Sequence, residues 1–294
     1  MEFIKSGKVK DIYSDGDTLI FKFSNRISVF DKIIPVDIPD KGESLCRTSY
    51  YWYGVASDIG IETDLIKLEG NNEMRVKKFN VFSRGREYFS NYMVPLEFIT
   101  RYYVAGTYYD RIKSGILDYH DAGFKNMPEY GDEFPDPYFE VTTKYEKFDR
   151  PLKTDEALTI SGLKLYELYD IKEKILKIDR RINESVKGRG LIHADGKKEF
   201  ALGISRVPTI IDTFGTLDED RFWDLNEYSN GNIRELSKEM VRQYYRSTGY
   251  HDALYRARDL GQKEPDIPPL PDDMIKKVSD LYKNMYEKIT GLKW

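Results

Sequence analysis

The chain has 294 residues and a formal net charge of −4, from 46 lysines and arginines against 50 aspartates and glutamates. Hydrophobic residues make up 40% and charged residues 33%, a balance typical of a folded globular chain. A near-neutral chain has no general attraction for nucleic acid, whose binding proteins carry a concentrated basic face. We therefore expect no nucleic-acid partner, and any anionic ligand must be met by local groups of lysine and arginine.

The composition also argues against a membrane protein and against a zinc site. The longest stretch without a charged residue is the ten residues between Arg47 and Asp58, far short of the ~20 apolar residues that cross a membrane. The amino terminus lacks the layout of a secretory signal, so we expect a cytoplasmic protein without a membrane partner. One cysteine, Cys46, and three histidines leave no internal disulfide and no expected zinc cluster. Cys46 is expected to be buried.

The first elements predicted along the chain are a β-hairpin and a helix. Polar and apolar residues alternate over residues 8–13 and 18–23, on either side of a turn at residues 14–17, which is the pattern of a hairpin. Residues 43–58 carry apolar side chains at near-helical intervals and stop before Gly60, where a helix tends to end. The helix is expected to pack on the sheet.

A mixed region follows. Strands are expected at residues 64–68 and 74–82. Residues 83–92 look like an inserted polar loop or an extended hairpin tip, and we expect this insert to be dispensable. Residues 94–152 predict strand and loop. Within them the prolines of residues 128–137 exclude continuous helix and favour a surface loop.

The last part of the chain predicts long helices around short strands. Residues 154–186 have apolar side chains three or four apart and end before Gly188, as one helix would. Residues 191–195 and 198–202 predict a second tight hairpin, turning at Gly196. The remaining predicted elements are a strand at 207–211 and helices at 233–246 and 272–290.

This order of elements predicts an α+β fold in two lobes. Residues 1–93 would form an antiparallel β lobe with one helix, and residues 94–294 a mixed α+β lobe with long helices. A cleft between the lobes is the expected ligand site.

Charged residues recur at the strand period in two places. Lys8 and Lys10 are two residues apart, so on a strand both ammonium groups leave one face and would suit a polyphosphate. An ordinary solvated strand face has the same spacing, so both interpretations stay open.

Acidic residues follow the same rule later in the chain. Asp195, Lys197 and Glu199 alternate, and Asp212 follows the next predicted strand. Magnesium needs only one or two carboxylates beside water and substrate phosphates, so Glu199 and Asp212 predict a magnesium site. Alternating charges on a solvent-facing hairpin are the other interpretation.

Three arginines border apolar runs. Arg101, Arg221 and Arg242 lie far apart in sequence, and converging arginines bind phosphate through paired hydrogen bonds. Each alone could equally be a surface ion-pair partner. The sequence contains no Walker, zincin, cysteine-pair or nucleophile-elbow motif, so those chemistries have no support.

Seven blocks, in the same order over nearly the whole chain, resemble the SAICAR synthetase (phosphoribosylaminoimidazole-succinocarboxamide synthase) family. They are GKVKDIY, SNRISVFDKIIPVDIPDKGESL, VPLEFITRYYVAGTYYDRIKSG, FPDPYFEVTTKYE, GLIHADGKKEFAL, IDTFGTLDEDRFW and YEKITGLKW. The resemblance implies a two-lobed α+β fold with ATP in the cleft and Mg²⁺ on its phosphates. It also implies ATP-dependent ligation of L-aspartate to the carboxylate of carboxyaminoimidazole ribonucleotide (CAIR), a step of de novo purine synthesis.

The resemblance assigns roles to individual residues. Lys8 and Lys10 stand where the family contacts ATP phosphates, and Glu199 and Asp212 stand at its metal-binding carboxylates. Lys197 is placed to meet the reacting carboxylate or the transferred phosphoryl group. The implied substrate-binding residues are Asp31, Lys41, Ser44, Arg101, Thr107, Arg221, Lys238 and Arg242, of which Arg101, Thr107, Arg221 and Arg242 would hold the ribonucleotide phosphate. Lys144 resembles a family block without an assigned role.

The chain also departs from the family pattern. Asp212 is followed by Thr213 where the family usually has glutamate, which removes a carboxylate near the metal. Tyr102 replaces a glycine and Lys198 an apolar residue, so both need local room.

The expected mechanism makes the substrate carboxylate an acyl phosphate, because a carboxylate itself has oxide as its leaving group. The aspartate amine then attacks, with Asp195 as the candidate base. Alternatives are a nucleotide-binding or sensing protein that has lost ligation, and a phosphotransferase acting on another group. Composition leaves the oligomeric state open, a homo-oligomer included.

Overall fold

The computed structural model describes residues 1–146 and 149–294. Its strands are β1 (Glu2–Ser6), β2 (Lys10–Asp15), β3 (Thr18–Phe23), β4 (Arg26–Val29), β5 (Lys32–Asp37), β6 (Leu65–Gly70), β7 (Glu73–Lys77), β8 (Asn80–Val81), β9 (Tyr92–Met93), β10 (Leu96–Tyr103), β11 (Glu133–Thr143), β12 (Leu191–Leu202), β13 (Pro208–Ile211) and β14 (Asp220–Asp224). Its helices are α1 (Lys41–Asp58), α2 (Gly106–Lys113), α3 (Thr154–Ser161), α4 (Leu165–Lys187), α5 (Leu225–Ser229), α6 (Glu239–Ser247), α7 (Tyr250–Asp259) and α8 (Asp272–Thr290), with a short 3-10 helix at Tyr119–Ala122. The α+β fold class is confirmed.

The first sheet is antiparallel, in the order β1-β2-β3-β7-β6. The predicted hairpin of β2 and β3 is confirmed, with Asp15 opposite Thr18. The strand placement of Lys8 is wrong. The Gly7 N–H donates to the Lys10 carbonyl at 2.8 Å, which turns the chain between β1 and β2, so Lys8 lies in a bend and the same-face argument for the two lysines does not apply.

The second sheet has the order β11-β10-β12-β9-β8, with β13 and β14 also paired to β12. The predicted hairpin around Gly196 is wrong, because β12 is one continuous strand. A Cβ at Gly196 would collide with the carboxylate of Asp220, so glycine allows close packing there and does not make a turn. The lobe boundary at residues 93/94 stays a prediction; β8 and β9 pair within this second sheet.

The first and the last predicted helices are confirmed, whereas the predicted helices between them have other boundaries in the structure. α1 ends before Gly60 and α8 covers residues 272–290 as expected. The expected helix over 154–186 is two helices, because Gly162 adopts a left-handed conformation with φ +70°, which ends α3.

Other predicted boundaries are wrong. Residues 233–238 lie outside α6, and α2, α5 and α7 were not predicted. β11 includes residues 133–137, which were expected to be loop. β11 is an edge strand, where prolines are tolerated because not every backbone N–H is needed for pairing.

Residues 83–91 form the expected loop beside β9, but it is tied to the protein body. The Gly85 N–H donates to the Ile160 carbonyl at 2.9 Å. The Arg206 guanidinium donates to the carbonyls of Phe89 and Gly162. These contacts argue against the expectation that the loop is dispensable. That expectation stays a prediction until the loop is deleted.

The hydrophobic core is continuous from the first sheet to the second. It includes Phe21 of β3, Trp52 of α1, Ile175 of α4, Phe200 of β12 and Tyr282 of α8. Burying a side chain of this size stabilises the fold by about 2 kcal/mol, so this core holds both sheets together with α1, α4 and α8.

Cys46 is buried, as predicted, and burial raises the pKa of its thiol to about 12. Among the helices of residues 1–146 and 149–294, none combines the length and apolar character that a membrane crossing requires.

Candidate active site

The site forms where Lys10, at the start of β2, meets β12 and the segment between β13 and β14. Side chains alternate along β12, so Asp195, Lys197 and Glu199 share one face, as the sequence predicts. The segment that follows β13, residues 212–219, supplies Asp212 and Glu219 to the same region.

Lys197 lies among carboxylates. Its Nζ is 3.2 Å from Glu97 Oε1, 3.2 Å from Glu199 Oε1 and 3.1 Å from Glu219 Oε2. Burial by itself would lower the pKa of Lys197, but these three carboxylates raise it well above its ordinary value. The side chain is therefore a fixed cation.

Lys144, whose role the sequence leaves open, lies on the other side of Glu199. Its Nζ is 2.5 Å from Glu199 Oε2. Burial would raise the pKa of Glu199, yet Lys197 and Lys144 together hold it below its ordinary value. Glu199 is thus an ionised carboxylate between two ammonium groups.

Asp212 is the second predicted metal ligand, and Lys10 of the first sheet is its ion-pair partner. The Thr213 N–H donates to Asp212 Oδ1 at 2.6 Å, and the Tyr53 hydroxyl donates to the Asp212 carbonyl. Burial opposes the charge, but Lys10 and Lys144 hold the pKa of Asp212 well below its usual range. Thr213 therefore supports Asp212 through its backbone, although it brings no carboxylate.

Lys8 does not join this group. Its Nζ pairs with Asp31 at 2.6 Å, and both side chains are more than half exposed. Asp31 lies at the tip of the β4–β5 hairpin, where both central residues, Phe30 and Asp31, have positive φ. The turn is held by Arg258, which donates to the Phe30 carbonyl at 2.9 Å.

The donor set is compatible with magnesium only if a phosphate completes it. Across the two described ranges, no three Asp, Glu, His or Cys side chains gather as a metal site. Glu199 and Asp212 are nevertheless ionised oxygen donors, the kind that Mg²⁺ takes together with water and phosphates. Both are now neutralised by lysines, so an incoming cation would compete with Lys10 and Lys144.

Two of the predicted arginines converge on Asp195. Arg101, Asp195 and Arg221 are direct neighbours across β10, β12 and β14. Arg101 Nη1 is 3.1 Å from Asp195 Oδ2, and the Arg221 guanidinium contacts the same oxygen. Thr107 Oγ1 is 3.5 Å from Arg101 Nη2. A Cβ at Gly106 would press on Arg221, so glycine there leaves room for the guanidinium.

Arg242 lies apart from this pair. Its guanidinium bonds to Glu239 at 3.2 Å, and Glu239 also contributes to the electrostatic surroundings of Arg221. Arg242 is therefore linked to Arg221 through Glu239, but it is not one of the two arginines that converge on Asp195.

The remaining predicted residues are Lys41, Ser44 and Lys238, which lie around the first turn of α1 and Asp218. Lys41 and Lys238 lie 2.9 Å and 3.3 Å from Asp218 Oδ2. Burial lowers the pKa of Lys41. Ser44 donates to the Tyr282 carbonyl at 2.9 Å. Lys41 and Ser44 thus join α1 to the 212–219 segment and to α8; their roles in substrate binding stay predictions.

Sequence reasoning missed Glu97, Glu140 and Glu219. Glu140 Oε2 is 3.0 Å from Arg101 Nη2. Glu97 was detectable, because it stands four residues before Arg101 on β10 and so faces the same side. Glu140 comes from β11, and only strand pairing brings it to the site.

Comparison with known proteins first places the chain among synthases and then identifies the family. A family model described as SAICAR synthetase matches residues 3–257. A phosphoribosylaminoimidazole-succinocarboxamide synthase of Thermoplasma acidophilum is 61% identical over 294 residues, covering 100% of both chains. The chain therefore belongs to the SAICAR synthetase family.

Solved structures show the same fold. The SAICAR synthase of Saccharomyces cerevisiae complexed with SAICAR superposes with a TM-score of 0.75 at 24% identity, over 99% of this chain and 95% of that one. A SAICAR synthetase in complex with ADP has a TM-score of 0.71 at 24% identity, over 100% and 99% of the two chains.

Proposed function

We propose that the chain ligates L-aspartate to the carboxylate of CAIR at the expense of ATP, giving SAICAR, ADP and phosphate in de novo purine biosynthesis. The observation that carries this proposal is the 61% identity to a named synthase over the whole of both chains. Its relatives include one bound to SAICAR and one bound to ADP. Cytoplasmic location and a homo-oligomeric state stay predictions.

Lys10 would bind the nucleotide, and Lys144 and Lys197 would neutralise the phosphoryl group during its transfer. Phosphoryl transfer depends chiefly on positioning and on charge neutralisation. Lys10, Lys144 and Lys197 lie close to one another in the fold, and each forms an ion pair with a carboxylate. Phosphate oxygens can take over those contacts. Lys8, on the exposed rim beside Asp31, would contact the nucleotide from outside.

Glu199 and Asp212 are the residues that would hold Mg²⁺. When bound, the metal would supply positive charge to the ATP phosphates. The two carboxylates meet this need because their low pKa values keep them ionised at neutral pH.

Arg101, Thr107 and Arg221 would bind the phosphate of the ribonucleotide, with Arg242 reaching it from α6. Arg101 and Arg221 already share one carboxylate oxygen of Asp195, so their guanidinium groups point to a common position. Two guanidinium groups that converge can bind one phosphate through several hydrogen bonds. The other residues proposed for substrate contact are Asp31, Lys41, Ser44 and Lys238.

The acyl phosphate formed from CAIR would lose phosphate when the neutral aspartate amine attacks. Asp195 is the proposed base. Its Oδ2 is engaged by both arginines, so that oxygen becomes free to accept the proton when those arginines have turned to the substrate phosphate. In this order of events, binding of the ribonucleotide phosphate frees the Asp195 carboxylate from the two arginines.

A coupled ADP-release assay with CAIR and ATP, in the presence and absence of L-aspartate, tests the proposal. We expect ADP and SAICAR in equal amounts, and only with aspartate present. ADP release without aspartate would indicate a phosphotransferase, and nucleotide binding without turnover would indicate a sensing protein; either result would contradict the proposal.

A further inference from the structure

A buried polar network lies on the face of β12 opposite the site. A register shift between His193 and Asp195 moves His193 to the side that carries Lys198. There the two side chains meet Asp179 of α4 and Asp220 of β14, and all four side chains are fully buried.

The network is closely bonded. Lys198 Nζ is 2.5 Å from Asp179 Oδ1 and 3.5 Å from Asp220 Oδ2. The Tyr102 hydroxyl donates to Asp179 Oδ2 at 3.1 Å. Tyr102 and Lys198 are two of the departures from the family pattern, and they share one carboxylate. Buried charges are costly unless paired, so these residues depend on one another.

Asp220 joins this network to the site. Its Oδ2 is 2.7 Å from His193 Nε2, and its Oδ1 accepts the Gly215 N–H at 2.9 Å. The Asp220 N–H in turn donates to the Thr216 carbonyl at 2.8 Å. The Asp220 side chain therefore anchors the middle of the 212–219 segment, at Gly215, to β12, and the absence of a Cβ at Gly196 lets it approach the strand.

The residues beside Asp220 in sequence belong to the site. Glu219 pairs with Lys197, and Arg221 contacts Asp195. Successive side chains on a strand point in opposite directions, so burying Asp220 directs Arg221, the next residue of β14, to the site face. Glu219 belongs to the turn before β14, and its carbonyl accepts the Lys197 N–H at 3.2 Å, which holds it beside Lys197. The ion pair of Asp212 with Lys10 has a support of its own, because the Tyr53 hydroxyl donates to the Asp212 carbonyl.

We propose that Asp220 is a positioning residue for the ligation reaction, which holds Glu219 and Arg221 in register with Lys197 and Asp195. The inference rests on the proposed function. It predicts that loss of the Asp220 charge affects the ribonucleotide and the chemical step, whereas ATP binding through Lys10 is spared.

Asp220→Asn tests this, because asparagine keeps an acceptor for Gly215 and loses the charge facing His193 and Lys198. We expect kcat to fall and the CAIR KM to rise, each by on the order of tenfold or more, with the ATP KM within about twofold. Asp179→Asn is the matched control. It removes a buried charge from the same network without touching the 212–219 segment, so it should lower Tm but leave both KM values near those of the wild type.

Equal kinetic constants for Asp220→Asn and Asp179→Asn, measured well below both Tm values, would overturn the proposal, because the network would then be only structural. If Asp220→Asn does not fold, His193→Gln replaces it, and a CAIR KM unchanged from the wild type would overturn the proposal equally. An inactive wild-type protein would instead count against the proposed function, so the two failures are distinguishable.

Discussion

Glu199→Gln is the sharpest test of the proposed metal site. Glu199 is buried, 2.5 Å from Lys144 and 3.2 Å from Lys197. The substitution preserves shape but removes the charge between two cations. Breaking a buried pair costs about 3 kcal/mol at the low end, and Lys197 keeps Glu97 and Glu219 as partners. At about 2 °C per kcal/mol for a chain of this size, Tm should fall by roughly 6 °C and the protein should stay folded.

Turnover should fall far more than stability. Losing one preorganised electrostatic group costs on the order of 10²–10³ in kcat, and the Mg²⁺ dependence of ADP release should weaken with it. Glu97→Gln is the matched control, because Glu97 faces the same two lysines at 3.2 Å and 3.9 Å but is not a proposed ligand. A Glu199→Gln enzyme with a near-normal rate and Mg²⁺ response would refute the metal assignment.

Three further predictions concern the nucleotide, the ribonucleotide and pH. Lys10→Met should raise the ATP KM by about tenfold, whereas Lys8→Met should raise it by less than about threefold because its charge is exposed and screened; equal effects would contradict the assignment. Arg221→Lys loses paired hydrogen bonding and should raise the CAIR KM by about tenfold in steady-state assays; a change in the ATP KM alone would show that the pocket is wrongly assigned. Burial raises the pKa of Asp64 to about 7, so the neutral carboxyl is favoured by folding and its contribution to stability is lost as pH rises from about 4 to 7. The Tm of Asp64→Asn should therefore rise relative to that of the wild type as the pH increases from about 4 to 7, and a constant difference would refute the reasoning.

The site could be predicted from sequence wherever one strand carries it. The alternation of Asp195, Lys197 and Glu199 follows from the period of a strand, whether the strand is read as half a hairpin or as continuous. The same rule fails for Lys8, because a backbone hydrogen bond from the Gly7 N–H to the Lys10 carbonyl turns the chain before β2 begins.

The main differences between the predicted and the observed fold occur at glycines. The sequence pattern predicts a turn at Gly196, yet the missing Cβ of this glycine makes room for Asp220, which is 24 residues away in sequence. The apolar pattern of residues 154–186 predicts one helix through Gly162, although the left-handed conformation of this glycine separates α3 from α4. A glycine in a sequence signals either freedom of the backbone or close packing, and only the neighbours in space distinguish the two.

The sequence by itself determined the local elements and the family. Periodic side chains specify the β2–β3 hairpin, α1 and α8, because each depends on residues a few positions apart. Tertiary structure alone decided which charges meet. Lys10 reaches Asp212, Lys144 reaches Glu199, and Arg101 and Arg221 share Asp195. These pairs are set by strand order and core packing, which depend on contacts between distant parts of the chain and leave no periodic trace in the sequence.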